Sequence, residues 1–368
     1  MTKLLYIFDA ADWDSRITVA QAARDRGYDV VIGLIGEQKT ASDFKVIPLE
    51  KEKLGFFTTL SFIKRINKLI KQEKPNFLHI VTLKYGFLVG ISSYLFKNTQ
   101  KIITLAGLGY VFRSSSTKSQ VLRVFLSPFL KLILRQQNTT LIFQNSDDLE
   151  MMVHRRYARA EDSVLIKGSG VYLNQFTPRK AHDENPIVLM PTRLVHEKGI
   201  AIFIEAANIL SARGINARFQ IAGGTSSSNP NGILEDEMNS IIAGSAVEWL
   251  GRVSDMPDLL ARVSLVVYPS YYGEGIPRVL IESCAAGRAI VTTDHVGCRE
   301  AVDDGVNGLL VPIKNAQATA EAIEQILSNP ATREKMEYAS RAKAEAVFDI
   351  YDVAAQTVDV YERVCRQN

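Results

Sequence analysis

The sequence predicts an α/β protein built from two doubly wound domains, each with a parallel sheet. Its 368 residues exceed the length of one comfortable domain and suit two domains of roughly 150 to 200 residues. An apolar share of 46% is enough to fill two hydrophobic cores. Short apolar runs alternate with segments of helical periodicity, and this alternation restarts near residue 187, as two consecutive doubly wound domains require.

The first half contains five short apolar runs that predict strands. They are residues 4–8, 30–34, 77–81, 102–105 and 141–143. Segments with helical periodicity, such as residues 17–26, separate them. Strands that alternate with helices form a parallel sheet, so we expect a first domain over residues 1–170.

The second half repeats this rhythm. The predicted strands are residues 187–190, 219–222, 265–268, 289–292 and 308–311, and the predicted final helices are 317–329, 332–348 and 351–365. Glycines and prolines around polar residues predict a linker at residues 171–186. The second domain then covers residues 187–349, and the last helix, about residues 350–368, is placed to pack back on the first domain.

Cysteine and histidine usage argues against a disulfide framework and against a metal site. The three cysteines, at 284, 298 and 365, are odd in number and lack a C-x-x-C spacing, which is typical of a reducing compartment. The five histidines offer no metal or triad spacing. The N-terminal apolar run is too short for a signal peptide, and no apolar stretch is long and uncharged enough to span a membrane.

Charge is distributed unevenly along the chain. Residues 1–180 carry 27 basic and 15 acidic side chains, which predicts an N-terminal surface that meets phosphates or an anionic membrane. Residues 61–74 and 122–135 both resemble basic amphipathic helices. Each is also consistent with an ordinary core-facing helix that has a solvated basic side, but the pair favours a membrane surface. Nucleic acid is excluded as a partner, because the basic half lacks an aromatic-interleaved patch.

Two carboxylates bracket a turn in the motif G-E-G-I-P-R-V-L-I-E at residues 273–282. Glu274 follows a predicted strand, and Glu282 lies eight positions later in the helix that Pro277 is suited to begin. The backbone amides of Gly275 and Ile276 would point at a ligand over the helix N-terminus, which favours an anion. By itself this pattern is equally consistent with a capped helix and two solvated acids.

A second motif, P-T-R-L-V-H-E-K-G at residues 191–199, supplies two cations. Arg193 and Lys198 lie in the loop after a predicted strand, and Gly223 follows the next strand. In isolation such cations are usually solvated. Loops that follow the strands of one parallel sheet converge on one edge, however, so the two cations and two carboxylates favour a sugar-nucleotide site.

These two motifs, with the restarted alternation, resemble glycosyltransferase family four, which comprises retaining nucleotide-sugar transferases. The resemblance implies the GT-B fold, with two facing Rossmann-like domains and a catalytic cleft between them. The segments G-L-G-Y-V-F at 107–112, F-Q-N-S-D-D at 143–148 and K-G-S-G-V at 167–171 are similar to bacterial enzymes that extend undecaprenyl-diphosphate-linked sugars. Those enzymes often use UDP-N-acetylhexosamine donors.

The resemblance also implies site roles. Arg193 and Lys198 would bind the donor diphosphate and stabilise the leaving nucleotide, Glu274 would hold hydroxyls of the transferred sugar, and Glu282 would bind the ribose. Preorganised cations and amides aimed at the departing phosphate act in the transition state. Further expected donor-side residues are Gly223, Gly275, Ile276 and Pro277.

The acceptor side is less well matched to the family. Candidate residues are Asp9, Asp12, Arg16, Gly107 and Gly109. Relatives often have a glycine pair in the first loop and a histidine where this chain has residues 107–109, and neither is present. The formal D-x-D at residues 12–14 precedes a predicted helix at 15–26, where acids commonly cap a helix start, so we expect no metal and no cofactor.

The expected activity is retaining transfer of an N-acetylhexosamine from a UDP-sugar to a polyprenyl-diphosphate-linked glycan at the cytoplasmic membrane face, in surface polysaccharide, O-antigen or glycan biosynthesis. A GT-B epimerase acting on UDP-N-acetylhexosamine and a non-catalytic sugar-nucleotide binder remain alternatives. A dinucleotide-dependent oxidoreductase is disfavoured, because the loop after the first strand lacks G-x-G-x-x-G.

Overall fold

A computed structural model describes residues 1–50, 56–92, 96, 98–109, 112, 117–179, 185–225 and 231–366. The chain forms two compact units. Unit 1 contains Met1–Gly170 and Ile350–Asn368, and unit 2 contains Val171–Asp349. Residues 180–184 of the expected linker and residues 110 and 111 of G-L-G-Y-V-F lie outside the described residues.

Unit 1 contains a parallel sheet. Its strands are Lys3–Asp9 (β1), Asp29–Ile35 (β2), Lys45–Leu49 (β3), Phe77–Val81 (β4), Gln100–Leu105 (β5), Thr139–Phe143 (β6) and Ser163–Leu165 (β7). They are ordered β3-β2-β1-β4-β5-β6-β7. The five central strands coincide with the apolar runs, because strands covered on both faces must be apolar throughout.

Helices pack on this sheet. They are Trp13–Asp25 (α1), Phe56–Glu73 (α2), Leu83–Ser92 (α3), Thr117–Leu134 (α4), Ser146–His154 (α5) and Ile350–Arg366 (α13). The terminal helix α13 packs against α1, and Tyr361 and Val358 are buried in the same cluster as β1. The last helix thus completes the core of unit 1.

The apolar side of α2 faces the core. Phe62, Ile66, Leu69 and Ile70 are buried against β1, β2 and β4. The membrane-interface interpretation of residues 61–74 is therefore wrong for this apolar side, and the ordinary core-facing helix with a basic outer side is what forms. Of the described helices, none is long and apolar enough to cross a membrane.

Unit 2 contains a second parallel sheet. Its strands are Ile187–Pro191 (β8), Arg218–Ala222 (β9), Val247–Trp249 (β10), Leu265–Tyr268 (β11), Ile290–Thr293 (β12) and Gly308–Val311 (β13). The order is β10-β9-β8-β11-β12-β13. The helices of this unit are Ile200–Ala212 (α6), Glu235–Ile242 (α7), Met256–Arg262 (α8), Arg278–Ala285 (α9), Cys298–Ala301 (α10), Ala316–Leu327 (α11) and Pro330–Lys343 (α12).

Three strands were not predicted, and each lies at a sheet edge. β3 is half-exposed and contains Pro48, which an edge strand tolerates, while β7 and β10 have three residues each. None of them forms a continuous apolar run, because an edge strand is only partly covered. The helix expected over residues 332–348 is α12 followed by a π-helical turn at Ala344–Phe348.

Candidate functional site

The carboxyl ends of the unit 2 strands bring the predicted donor-side residues to one sheet edge. Arg193 and Lys198 follow β8, Gly223 follows β9, and Glu274 follows β11. The strands β9, β8 and β11 are neighbours in the sheet, so their following loops are neighbours as well. In doubly wound sheets this edge is where ligands bind.

Lys198 and Glu274 form the centre of this edge. The ammonium group of Lys198 donates a hydrogen bond to the Glu274 carboxylate, which also accepts one from the Tyr268 hydroxyl at 3.1 Å. The lysine side chain is 3% exposed and the glutamate side chain 22% exposed. The carboxylate is thus the reachable end of a pair whose cation is enclosed.

Two tyrosine rings enclose the Lys198 ammonium. Its nitrogen lies 5.3 Å from the ring centre of Tyr268 and 5.0 Å from that of Tyr272, within range of a cation–π attraction. Burial, followed by the negative charge of Glu274, raises the pKa of Tyr268 well above its ordinary value. The same two causes raise the pKa of Tyr272. Both phenols therefore keep their protons at neutral pH, and Tyr268 remains a donor to Glu274.

Arg193 differs from Lys198 in its surroundings. Its side chain is exposed, and within the described parts of the chain its guanidinium makes no ion pair. A guanidinium carries its donors in a planar fork that matches a phosphate, so Arg193 is a cation available to an anionic ligand. The edge thus offers one enclosed cation and one open cation.

Glu282 lies on α9 and is held by a neighbour on the same helix. The Arg278 guanidinium donates to its carboxylate at 2.9 Å, and the glutamate side chain is 14% exposed. Burial raises the pKa of Glu282, although Arg278 acts in the opposite direction. The helix begins at Arg278, so Pro277 is its N-cap residue and not its first helical residue, and Glu282 lies about one turn into the helix.

Three glycines allow the loops at this edge to approach one another closely. A Cβ atom on Gly223 would lie 1.6 Å from the Thr192 carbonyl oxygen, and one on Gly199 would lie 2.1 Å from that of Pro269. A Cβ on Gly297, after β12, would lie 1.8 Å from the Gly275 carbonyl oxygen. No side chain fits at these contacts, so the glycines fix the spacing of the loops that carry the charged groups.

The donor-side loop residues are partly hydrogen-bonded or buried within the protein. The Gly223 amide donates to the Gly251 carbonyl at 2.8 Å, and the Gly223 carbonyl accepts from the Trp249 indole at 2.9 Å. Gly275 and Ile276 are buried, with Ile276 in the hydrophobic cluster under α9. Gly223 is therefore a packing residue of the edge.

Sequence reasoning missed the residues that orient the charged groups. Tyr268, Tyr272 and Gly297 belong to this group. Tyr268 was assigned only to a strand, yet the last residue of a parallel strand lies at the ligand edge, and this position was the available signal. Gly297 carried no signal of its own, because its contact with Gly275 joins two loops distant in sequence.

The acceptor-side candidates of the first loop lie in unit 1 after β1. Asp9 accepts a hydrogen bond from the Ala11 amide at 3.1 Å and caps a 3-10 turn at Ala10–Asp12. Asp12 precedes α1 but makes no side-chain cap hydrogen bond, so the capping role expected for it is wrong. α1 begins at Trp13, two residues earlier than expected.

Arg16 is buried near the core of unit 1. Its side chain is 5% exposed, and its Nε atom has no hydrogen-bond acceptor among the described residues. Burial raises the pKa of Tyr6 to about 12, and the positive charge of Arg16 opposes this shift. The guanidinium thus lies close to Tyr6.

Gly107 and Gly109 follow β5 with φ angles of 128° and 63°. Both glycines line a cavity in unit 1. Across the described parts of the chain, no group of three or more His, Cys, Asp or Glu residues is arranged to hold a metal ion.

Two family models match the chain. The model described as "Glycosyl transferase 4-like" matches residues 3–146, and the model described as "Glycosyl transferases group 1" matches residues 174–343. The first match lies in unit 1 and the second in unit 2. The chain is therefore a glycosyltransferase and belongs to the family that these two models describe.

A curated relative matches the chain end to end. It is N,N'-diacetylbacillosaminyl-diphospho-undecaprenol alpha-1,3-N-acetylgalactosaminyltransferase of Campylobacter jejuni, which is 27% identical over 378 residues, covering 97% of each chain.

Solved structures share the fold. Sucrose-phosphate synthase from Thermosynechococcus elongatus has a TM-score of 0.82 at 20% identity and covers all of both chains. Anabaena HepE, solved in complex with UDP-glucose, has a TM-score of 0.77 at 20% identity and covers 99% of this chain and all of its own. The two parallel-sheet Rossmann-like domains are those of GT-B glycosyltransferases, which confirms the predicted fold class.

Proposed function

We propose that this glycosyltransferase moves an N-acetylhexosamine, with retention, from a UDP-sugar to a polyprenyl-diphosphate-linked glycan in surface polysaccharide or glycan biosynthesis. The observation that carries the proposal is the enclosed Lys198 ammonium paired with the Glu274 carboxylate at the ligand edge of unit 2. A buried cation with one exchangeable partner suits a ligand that brings phosphate and hydroxyl groups together.

Lys198 and Arg193 bind the donor diphosphate in this proposal. The diphosphate accepts hydrogen bonds from Lys198, and the Glu274 carboxylate turns to accept from hydroxyls of the transferred sugar. Tyr268 keeps its hydrogen bond to Glu274 and restricts where the carboxylate can turn. Glu282, restrained by Arg278, accepts from the ribose diol. Support for a UDP donor comes from HepE, whose structure contains UDP-glucose.

The same cations stabilise the leaving group. Negative charge grows on the departing nucleotide as the glycosidic bond breaks, and fixed positive charges aimed at it lower the barrier. Two cations supply this stabilisation without a metal ion, so the proposed reaction is metal-independent. In the retaining reaction a phosphate oxygen of the leaving group helps to deprotonate the acceptor hydroxyl on the same face.

A lipid-linked acceptor is supported by the Campylobacter relative, whose name specifies a diphospho-undecaprenol acceptor. The excess of basic residues over residues 1–180 is consistent with a diphosphate and with an anionic membrane surface. We therefore propose that the enzyme works on the inner face of the cell membrane as a peripheral protein.

A transfer assay tests this function. The full chain is incubated with UDP-N-acetylglucosamine or UDP-N-acetylgalactosamine and a saccharide linked to undecaprenyl diphosphate, with and without a chelator. We expect a product longer by one N-acetylhexosamine, in α linkage, at an equal rate with chelator. Release of a 2-epimer without acceptor would instead identify an epimerase. UDP binding without turnover on any donor or acceptor would identify a non-catalytic binder.

A further inference from the structure

A cavity of about 540 Å³ opens in unit 1 beside the glycine loop that follows β5. Its walls are mostly apolar and include Phe87 and Leu88 of α3 and Leu126 and Leu130 of α4. A volume in this range and apolar walls are typical of small-molecule sites. The sugar-nucleotide site proposed in unit 2 uses none of these residues.

The cavity has a polar end. Thr82, Lys84 and the loop of Gly107 and Gly109 line it together with the apolar residues. The Thr82 hydroxyl is buried without a hydrogen-bond partner among the described residues, and its φ angle is 83°. A β-branched residue in this left-handed region is strained, and such strain is found at functional sites. An unpaired buried hydroxyl beside an ammonium group favours an anionic head group.

The outer side of α4 continues the apolar surface. Val121, Val124, Phe125, Phe129 and Leu132 are exposed on this helix, with exposed fractions from 50% to 75%. The cavity-lining Leu126 and Leu130 lie on the same helix. An exposed apolar area beside a cavity marks an interaction site for an apolar partner.

The positive charge of the helices around the cavity favours an anionic partner. α2, α3 and α4 together contain eight lysines and arginines and a single acid, Glu73. That acid is already paired with Lys3 and Lys45. A second copy of this chain would bring two basic surfaces together, whereas an anionic amphiphile would neutralise the charge.

We propose that this cavity binds the first isoprene units of a polyprenyl diphosphate, with the diphosphate at Lys84 and the rest of the chain along the exposed side of α4. This inference rests on the proposed function for the choice of an isoprenoid. The cavity then binds the lipid part of the acceptor, and α4 is the segment that contacts the membrane.

Binding of geranylgeranyl diphosphate to the full chain tests this proposal. Leu126→Trp fills the cavity, and Gln72→Trp adds the same ring at an exposed position in the last turn of α2, away from the cavity and from α4. We expect binding by the wild type, a loss of about tenfold or more in Leu126→Trp, and less than about twofold change in Gln72→Trp. If Leu126→Trp unfolds, Thr59→Phe can take its place, because Thr59 is another half-buried lining residue. It should show the same loss of binding. Circular dichroism and thermal unfolding check the fold of each variant.

Several outcomes would overturn the cavity assignment. The first is that the wild type does not bind geranylgeranyl diphosphate. The second is that both cavity-filling variants bind it as tightly as the wild type does. The third is that dioleoyl-phosphatidylglycerol displaces it as strongly as unlabelled geranylgeranyl diphosphate does. Concentration-dependent dimerisation that Val124→Glu abolishes, without isoprenoid binding, would identify a second copy as the occupant. If the wild type binds the isoprenoid but transfers no sugar, the cavity stands and the proposed function fails. If both cavity-filling variants transfer to the long-chain acceptor as well as the wild type does, the proposed function stands and the cavity assignment fails.

Discussion

The ammonium group of Lys198 donates a hydrogen bond to the carboxylate of Glu274, which lies 76 positions further along the chain. In the absence of donor, this carboxylate neutralises a cation that is almost fully enclosed. A bound diphosphate would take over that neutralisation and leave Glu274 to accept hydrogen bonds from sugar hydroxyls. In the proposed donor site the enclosed cation thus has an anionic partner both before and after binding, and we expect the two residues to be coupled in stability as well as in function.

Replacing either partner should destabilise the protein, and replacing both should cost less than the sum. We expect Glu274→Gln and Lys198→Met each to lower the free energy of unfolding by about 1–3 kcal/mol, because each leaves a partly buried polar group without its partner. Urea unfolding of the two single variants and the double variant measures this coupling. Additive losses would mean that the two side chains do not interact.

Replacing Arg193 should affect catalysis without affecting stability. Its side chain is exposed and makes no ion pair within the described part of the chain, so Arg193→Ala should change the unfolding free energy by less than about 0.5 kcal/mol. We expect kcat/KM for transfer to fall by about 100-fold, because a cation aimed at the leaving phosphate is lost. Arg218→Ala, at the amino end of β9, is the matched control. Equal activity of both variants would rule out the role of Arg193.

Activity should require a glycine at position 297 because of its missing side chain as well as its backbone conformation. Gly297 and Gly305 have φ angles of 80° and 75°, but only a Cβ on Gly297 meets the loop of Glu274 and Gly275. Gly305→Ala should cost about 1–2 kcal/mol of stability, and Gly297→Ala should cost more, because its Cβ would also clash with the Gly275 carbonyl oxygen. Only Gly297→Ala should also lower kcat/KM, by about 10- to 100-fold, because it displaces the sugar-binding loop. Parallel losses of activity in the two variants would remove this positioning role.

Donor binding should weaken at acidic pH because of Glu282. Burial raises the pKa of its carboxyl group, and only the ionised form accepts both hydrogen bonds of a ribose diol. The affinity for UDP should therefore be highest at pH values above this raised pKa and should fall as the pH drops through it. Calorimetric titrations of the wild type and Glu282→Gln between pH 8 and pH 5 check this expectation. Glu282→Gln should bind weakly with a flatter profile, and an unchanged profile would exclude Glu282 as its source.

Stability should fall below about pH 6.5 because of His79. This fully buried imidazole lies 2.6 Å from the Tyr361 hydroxyl and 2.7 Å from the Thr104 hydroxyl. Burial, followed by the positive charge of Arg16, holds its pKa well below the ordinary value. The unfolded chain binds this proton first, so stability is full above the unfolded pKa and is lost as the pH falls below it.

Urea unfolding at pH 7.5, 6.5 and 5.5 measures this dependence. The wild type should lose up to about 1.4 kcal/mol per pH unit from this group, while His79→Gln should lack that part of the slope. The same slope in both proteins would show that other groups cause it.

The sequence predicted which charged residues lie at one sheet edge but not how they pair. Position after neighbouring parallel strands predicted that Arg193, Lys198 and Glu274 share one edge, since topology alone decides this. It could not predict that Lys198 pairs with Glu274, because the pairing depends on rotamers and on the enclosing rings of Tyr268 and Tyr272. The contact of Gly297 with Gly275 joins two distant loops and has no local signature.

Helical periodicity had a similar limit. Residues 61–74 and 122–135 show the same basic amphipathic pattern, yet α2 buries its apolar side while α4 leaves large apolar side chains exposed. A pattern of apolar positions shows that a helix has an apolar side but not what covers it. Only the tertiary structure makes this distinction. We therefore expect a membrane contact at α4 alone, where the sequence pattern favoured one at both helices.

The affinity of UDP for Lys198→Met tests the central claim most directly. In calorimetric titrations with the full chain, the wild type and the surface variant Lys335→Met should bind UDP alike, because residue 335 lies exposed on α12. Lys198→Met should bind at least about tenfold more weakly, since its enclosed cation is gone. Equal affinity in all three proteins would contradict the assignment of this edge as the sugar-nucleotide site.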